Sequence, residues 1–363
     1  MNINEILYKL QLYKLLINSE RLKHKIGHNT DLKNDIDSIE FLIKYDKLLK
    51  LVNNNPKEES LKDHYKEFSK ISYWWPYIEN FSTTEYLENP DYILKTYLKN
   101  SEIIDLLHEF FENVTPKIVQ NTFLKLFNNP KTYIHFINKE RYANNLGEIV
   151  YLNFYKSCQI TVFNKHTIED VAVLAHEFGH GIQFFNNYNY LHTHTSKKPY
   201  VEISSTFFEM LCLDYLKKHF PRSSLEIETN LLNSRLYTAK KINKELEIIK
   251  IINSINFINI DDLDFKINYF KTFYDNKEEI VDILNQKNDL YYIYTTSFII
   301  ACNLFMIYLI DPEHAFYLLY KIFNINLKLR PNEYFKEIKN LDLIKSERIN
   351  EYRLHLKRKL EKN

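Results

Sequence analysis

The residues best suited to chemistry are His176, Glu177 and His180, in the run His-Glu-Phe-Gly-His. They follow the apolar stretch 171–175, which is compatible with a helix. On a helix, two histidines four residues apart lie on one face, so both imidazoles can reach a single metal ion with Glu177 beside them. Zinc suits this arrangement because neutral imidazole is among its preferred ligands. The alternative is a chance match on a surface helix.

The predicted motif helix contains two of the four glycines in the chain, Gly179 and Gly181. A glycine inside a helix costs about 1 kcal/mol relative to alanine. This cost suggests that another backbone or a substrate approaches the helix closely. The start of the helix is predicted by Thr167 as N-cap and by Asp170 at the third helical position, where its charge also suits the helix dipole.

Two histidines do not complete a zinc site, so a third protein ligand is needed. The metzincin pattern would place glycine at position 183 and histidine at position 186, whereas this chain has Gln183 and Asn186. Other zinc sites take a glutamate from a following helix, and Glu202 is the next candidate downstream.

Glu202 lies near the first turn of a helix that Pro199 is expected to start, and Glu209 falls on the same face seven residues later. We expect Glu202 to bind the metal and Glu209 to orient one of the ligands. The alternative is two solvated glutamates on an outer helix face. His192 and His194, in the polar connection between the two helices, are rival third ligands.

The motif His176–His180 and the run 200–209, Tyr-Val-Glu-Ile-Ser-Ser-Thr-Phe-Phe-Glu, together resemble a known family. They look like the oligoendopeptidase F branch of the thimet oligopeptidase-like zinc metallopeptidases. That family carries H-E-x-G-H and then a glutamate ligand in a run similar to A-E-[IV]-A-S-T-x-x-E. The tyrosines of its Y-x-Y element, which face the metal, are matched here by Tyr292 and Tyr294. The resemblance covers about residues 140–355.

The resemblance implies a mainly α, zincin-type helical metallopeptidase with a small β-sheet beside the motif helix and a deep substrate channel. The implied function is hydrolysis of short oligopeptides with one zinc ion per chain, held by His176, His180 and Glu202. Glu177 would then act as general base on the attacking water. Tyr294 and Tyr292 would stabilise the oxyanion that forms on the substrate.

Two glutamines mark departures from the family pattern. Gln183 replaces a histidine often seen three residues after the motif, and Gln286 stands near the place where a histidine usually precedes the tyrosines. At 363 residues the chain is also shorter than typical members, so part of the N-terminal half is expected to be reduced. A catalytically weakened peptide-binding protein on the same fold is therefore the alternative function.

Helical periodicity predicts an N-terminal helical region over 1–115 and a second region over 116–363, with one continuous domain as the alternative. The resemblance implies that the first region covers the channel and that the second is the zinc metallopeptidase catalytic domain. Strands are predicted at about 148–154 and 159–163, as a hairpin just before the motif helix. Ile160–Phe163 would offer an open edge to a peptide.

The run Leu290–Ile310 has no formal charge and predicts a buried helix. The alternative is a helix that spans a membrane, in which case the protein would be a membrane-embedded protease.

Composition favours a helical protein with a large core, since the chain has only 4 glycines and 9 prolines and is 45% hydrophobic. A net charge of +1 without a sustained basic stripe argues against nucleic acid as a partner.

Cys158, Cys212 and Cys302 are too widely spaced to predict a disulfide framework or a cysteine zinc site. We expect a cytoplasmic protein without a membrane partner. The sequence leaves the oligomeric state open.

Overall fold

Helices dominate the computed structural model, which describes residues 74–88, 96–138, 146–152, 156–186, 201–254, 289–325, 329 and 331–362. The described helices are α1 Trp75–Ser82, α2 Asn100–Val114, α3 Lys117–Phe127, α4 Ile168–Asn186, α5 Val201–Leu216, α6 Pro221–Ser254, α7 Asp289–Tyr308, α8 Pro312–Phe323, α9 Pro331–Asn340 and α10 Ser346–Leu360. The described strands are β1 Tyr133–Asn138, β2 Gly147–Leu152 and β3 Ser157–Asn164. The predicted mainly helical fold with a small sheet is confirmed.

The chain divides into two compact units. The first contains Met1–Pro56, Tyr92–Thr193 and Ser204–Ile227, and the second contains Lys57–Asp91, His194–Ile203 and Glu228–Asn363. The predicted domain boundary near residue 115 stays a prediction, and the helices expected before residue 74 lie outside the described residues.

The sheet of the first unit has the strand order β1-β3-β2. Strand β3 pairs with β2 in antiparallel fashion and with β1 in parallel fashion. The predicted hairpin before the motif helix is therefore confirmed, whereas β1 was not predicted. The expectation that Ile160–Phe163 has an open edge is wrong, because this part of β3 is paired on both sides.

Helix α4 carries the motif and begins as the sequence predicts. The Asp170 carboxylate accepts hydrogen bonds from the backbone N–H groups of Thr167, at 2.9 Å, and Lys165, at 3.0 Å. The Thr167 hydroxyl accepts a bond from the N–H of Glu169 at 3.3 Å. Burial raises the pKa of Asp170 above its ordinary value, and the two N–H donors act in the opposite direction. The bonds from Thr167 and Glu169 satisfy backbone donors at the start of the helix that have no intrahelical partner.

The aromatic core of the first unit is built around Phe178, which lies inside the motif. Its ring meets that of Phe123 with centroids 5.0 Å apart, and Phe123 stacks on Phe111 at 4.1 Å. Phe111 also contacts Phe208 of α5 at 5.7 Å. All four rings are almost completely buried. Helix α4 is thereby packed against α2 and α3 as well as against strands β2 and β3.

The second unit packs α7 against α8 and α10. The ring of Tyr352 in α10 lies against Phe298 and Phe305 of α7, and its hydroxyl donates a 2.9 Å hydrogen bond to Glu228. The predicted helix at Leu290–Ile310 is present as α7. Within the residues that the structure describes, no helix is both long and apolar enough to cross a membrane.

The three cysteines are buried and do not form disulfides. Cys158 lies in β3, Cys212 in α5 and Cys302 in α7. Burial raises the pKa of the Cys158 thiol to about 12, and it raises the pKa values of the other two well above the ordinary range. None of the three is therefore held as a thiolate at neutral pH.

Candidate metal centre

Two helices bring together the side chains that the sequence analysis singled out. Helix α4 carries His176 and His180 one turn apart, and the first turn of α5 carries Glu202. One ligand atom from each of these residues lies within 4.8 Å of the other two. His180 is buried, while His176 and Glu202 are half-buried. Of the residues that the structure describes, these three form the only group of this kind.

A fourth residue fixes the orientation of one imidazole. The Nδ1 atom of His176 lies 2.9 Å from Oε2 of Glu209 on α5. A neutral His176 beside an ionised Glu209 would donate from Nδ1, because a carboxylate can only accept a hydrogen bond. The other ring nitrogen, Nε2, then carries the lone pair that a metal would use. This is the arrangement expected of a histidine ligand held by an orienting carboxylate.

The donor set fits a zinc ion of the catalytic type. Two imidazole nitrogens and one carboxylate oxygen are the three protein ligands of a well-known class of catalytic zinc sites. In such sites the remaining coordination position is left for water or substrate. The half-buried position of His176 and Glu202 is compatible with access from solvent.

Glu177 lies on the same helix but points to the sheet. Glu177 as a whole residue is only 5% exposed. A Cβ atom built on Gly147, the first residue of β2, would lie 2.8 Å from Oε1 of Glu177 and 2.5 Å from Cγ1 of Val173. Both distances are shorter than real contacts of this kind, so the absence of a side chain at Gly147 makes room for the carboxylate. Sequence reasoning missed this glycine, although its rarity in the chain was a usable signal.

The two glycines inside α4 have different surroundings. A Cβ atom on Gly179 would lie 2.7 Å from the Cα of Ser205, so the backbone of α5 does approach the motif helix there, as predicted. A Cβ atom on Gly181 would meet only side chains, of which the nearest is Leu126, with Cδ1 at 3.3 Å. The predicted close approach is thus confirmed at Gly179 and is not a backbone contact at Gly181.

The remaining predicted site residues are only partly described. His192, His194 and Gln286 lie outside the described residues, as does the side chain of Tyr292. Tyr294 belongs to the second unit, where its half-buried ring lies 4.9 Å from the guanidinium carbon of Arg235.

Comparison with known proteins gives one family match. The sequence pattern of Peptidase family M3 matches residues 87–298 of this chain. That range contains the motif helix, the helix with Glu202 and Glu209, and the tyrosine pair. A search of the curated proteins finds no match.

The fold is similar to that of solved peptidase structures. A candidate peptidase from Chlamydophila abortus is 16% identical with a TM-score of 0.50, over 85% of this chain and 56% of that protein. A candidate oligoendopeptidase F from Bacillus anthracis is 13% identical with a TM-score of 0.49, over 95% of this chain and 65% of that protein. The chain thus spans little more than half the length of the first of these proteins.

The contact at Gly179 predicts unequal effects of two alanine substitutions. Gly179→Ala forces the backbones of α4 and α5 apart and should lower the free energy of unfolding by about 2 kcal/mol or more. Gly181→Ala should be close to neutral, since its contacts are with movable side-chain ends and alanine gains about 1 kcal/mol of helix propensity. Urea unfolding of both variants measures the difference. Equal stability of the two would contradict the packing described for Gly179.

Proposed function

The chain belongs to peptidase family M3, and on that premise we propose that it is a zinc-dependent metallopeptidase acting on short oligopeptides. The observation that carries the proposal is the group His176, His180 and Glu202, whose donor atoms lie within 4.8 Å of one another. Family membership supports the hydrolysis of peptide bonds, and the donor group supports the metal.

The proposed ligands are His176 and His180 through imidazole nitrogen and Glu202 through its carboxylate. Glu209 keeps the proton of His176 on Nδ1 and so presents Nε2 to the ion. When bound, zinc supplies Lewis-acid chemistry, because it lowers the pKa of a water molecule toward about 7 and polarises a carbonyl group.

Glu177 is the proposed general base. It neighbours both histidines on α4, and its carboxylate is held in a buried position against Gly147. In this role it takes the proton from the water that attacks the peptide carbonyl. It then returns that proton to the amine that leaves, so the same side chain serves both proton transfers.

The substrate is proposed to pair with β2, the edge strand beside Glu177. In the antiparallel pair of β2 and β3, the N–H of Phe163 donates to the carbonyl of Leu146 at 3.0 Å. Leu146 and every second residue after it therefore direct their backbone N–H and C=O groups at β3. The N–H and C=O groups of Gly147, Ile149 and Tyr151 therefore point away from β3. An extended peptide pairing with these groups would be held by its main chain, which gives broad sequence tolerance.

Two further features come from the resemblance. Tyr292 and Tyr294 are proposed as donors to the oxyanion that develops on the scissile carbonyl. Selectivity is proposed to depend on peptide length, through a deep channel. The alternative function remains a peptide-binding protein that has lost turnover.

Digestion of a peptide library with and without a chelator tests the proposal. We expect one zinc ion per purified chain, cleavage of short peptides, loss of cleavage with chelator and recovery on adding zinc. A protein that neither contains zinc nor gains activity from it would exclude the metalloenzyme. Bound zinc without cleavage of any peptide would favour the binding protein.

A second prediction concerns the general base. Glu177→Gln should keep its zinc and lose about 10²- to 10⁴-fold or more in turnover, because the amide cannot accept a proton. Zinc content and kcat are measured on the same preparation. Glu169→Gln, the same change on the same helix at a residue paired with Lys165, is the matched control and should leave both unchanged. A Glu177→Gln protein that lost zinc but kept its activity per bound ion would show that the assigned role is wrong.

A third prediction separates the two glutamates of α5. Glu202→Ala removes a proposed ligand and should be without metal at ordinary zinc concentrations. Glu209→Ala removes only the partner of His176, so zinc affinity should fall by about 10- to 100-fold and excess zinc should restore activity. Zinc titration of both variants gives the ranking. The reverse ranking would mean that Glu202 is not the third ligand.

A further inference from the structure

A buried hydrogen bond joins the two helices that carry the proposed ligands. The hydroxyl of Ser204 on α5 donates to Oε1 of Gln183 on α4 at 2.6 Å. Both residues are 1% exposed. Gln183 lies three residues beyond His180, and Ser204 lies two residues beyond Glu202, so the bond is formed close to two of the ligands without including either.

The contacts between α4 and α5 follow an antiparallel order. His176 meets Glu209 near one end, the backbone of Gly179 meets Ser205 in the middle, and Gln183 meets Ser204 at the other end. One polar bond therefore lies on each side of the place where the backbone of Ser205 approaches Gly179. His180 lies between them along α4.

The close contact and the hydrogen bond restrain different movements. Packing at Gly179 limits how near the two backbones can come, but a steric contact does little against sliding or rotation of one helix past the other. A hydrogen bond weakens steeply with distance and angle, so it resists both movements. The Ser204 hydroxyl also lies 3.2 Å from the carbonyl oxygen of Gly179, so its contact with Gln183 is the shorter of the two.

We propose that Gln183 and Ser204 are positioning residues that act as a pair, setting the register of α5 against α4 and so the placement of Glu202 relative to the two histidines. The affinity of the site for zinc then depends on a bond between two residues that do not touch the ion. This inference rests on the proposed function, since it assumes that zinc is the ligand of the site.

Zinc affinity of a set of variants tests the pair. Ser204→Ala removes the donor, Gln183→Met removes the acceptor in a side chain of similar length, and the double variant removes both. Each is titrated with zinc in competition with a chromophoric chelator, on the full chain, with circular dichroism to verify folding. We expect each single change to weaken zinc binding by about 10- to 100-fold. The double variant should bind no more weakly than the worse single variant, because the bond is already lost.

Ser224→Ala is the matched control, because Ser224 is also a fully buried helical serine, on α6. Its zinc affinity should equal that of the unmodified chain. Variants of the pair that lower thermal stability yet bind zinc as the unmodified chain does would overturn the inference, since the bond would then serve only the fold. Additive losses in the double variant would also overturn it. Should Gln183→Met fail to fold, Ser204→Ala decides alone, because it removes a single oxygen atom.

The two proposals fail in different ways. An unmodified chain that binds no zinc would overturn the proposed function and this inference with it. Tight zinc binding by the unmodified chain, with unchanged affinity in the Ser204→Ala variant, would overturn the inference alone.

Discussion

The close approach of α5 to α4 at Gly179 is the constraint on which the candidate site depends. A side chain at this position would collide with the backbone of Ser205, so the helices could not reach their observed separation. With that separation, Glu202 comes within reach of the two histidines and Glu209 reaches the ring of His176. Phe178 also holds the motif helix, because its ring is part of a buried aromatic cluster that includes Phe123 of α3. Packing therefore fixes the motif helix before any metal binds.

Local spacing explains why much of the site could be predicted from the sequence. The four-residue interval between His176 and His180 defines a helical face, and the cap at Thr167 and Asp170 involves residues only three apart. The prediction of Glu202 also used the resemblance to a family in which a glutamate ligand follows the H-E-x-G-H motif. The spacing of residues alone could not connect Glu202 with the two histidines. Family membership is now supported by a match over residues 87–298.

Contacts between distant segments explain what could not be predicted. Strand β1 pairs in parallel with β3, and Tyr133 is separated from its partner Gln159 by the whole of β2, so no hairpin signal marks it. The position of Gly147 beside Glu177 likewise depends on how the sheet meets the helix. In the sequence, Gln183 is a departure from the metzincin pattern and from that of the resembled family. Its hydrogen bond to Ser204 joins it to a residue 21 positions away, which no local pattern indicates.

The buried cysteines give each unit its own internal reporter. Cys158 and Cys212 belong to the first unit and Cys302 to the second. The thiolate is the form that reacts with alkylating reagents, and burial disfavours it at all three positions. The native chain should therefore resist alkylation until a unit opens. The order in which the three thiols are modified in rising denaturant would record which unit loses its structure first, without any label introduced into the chain.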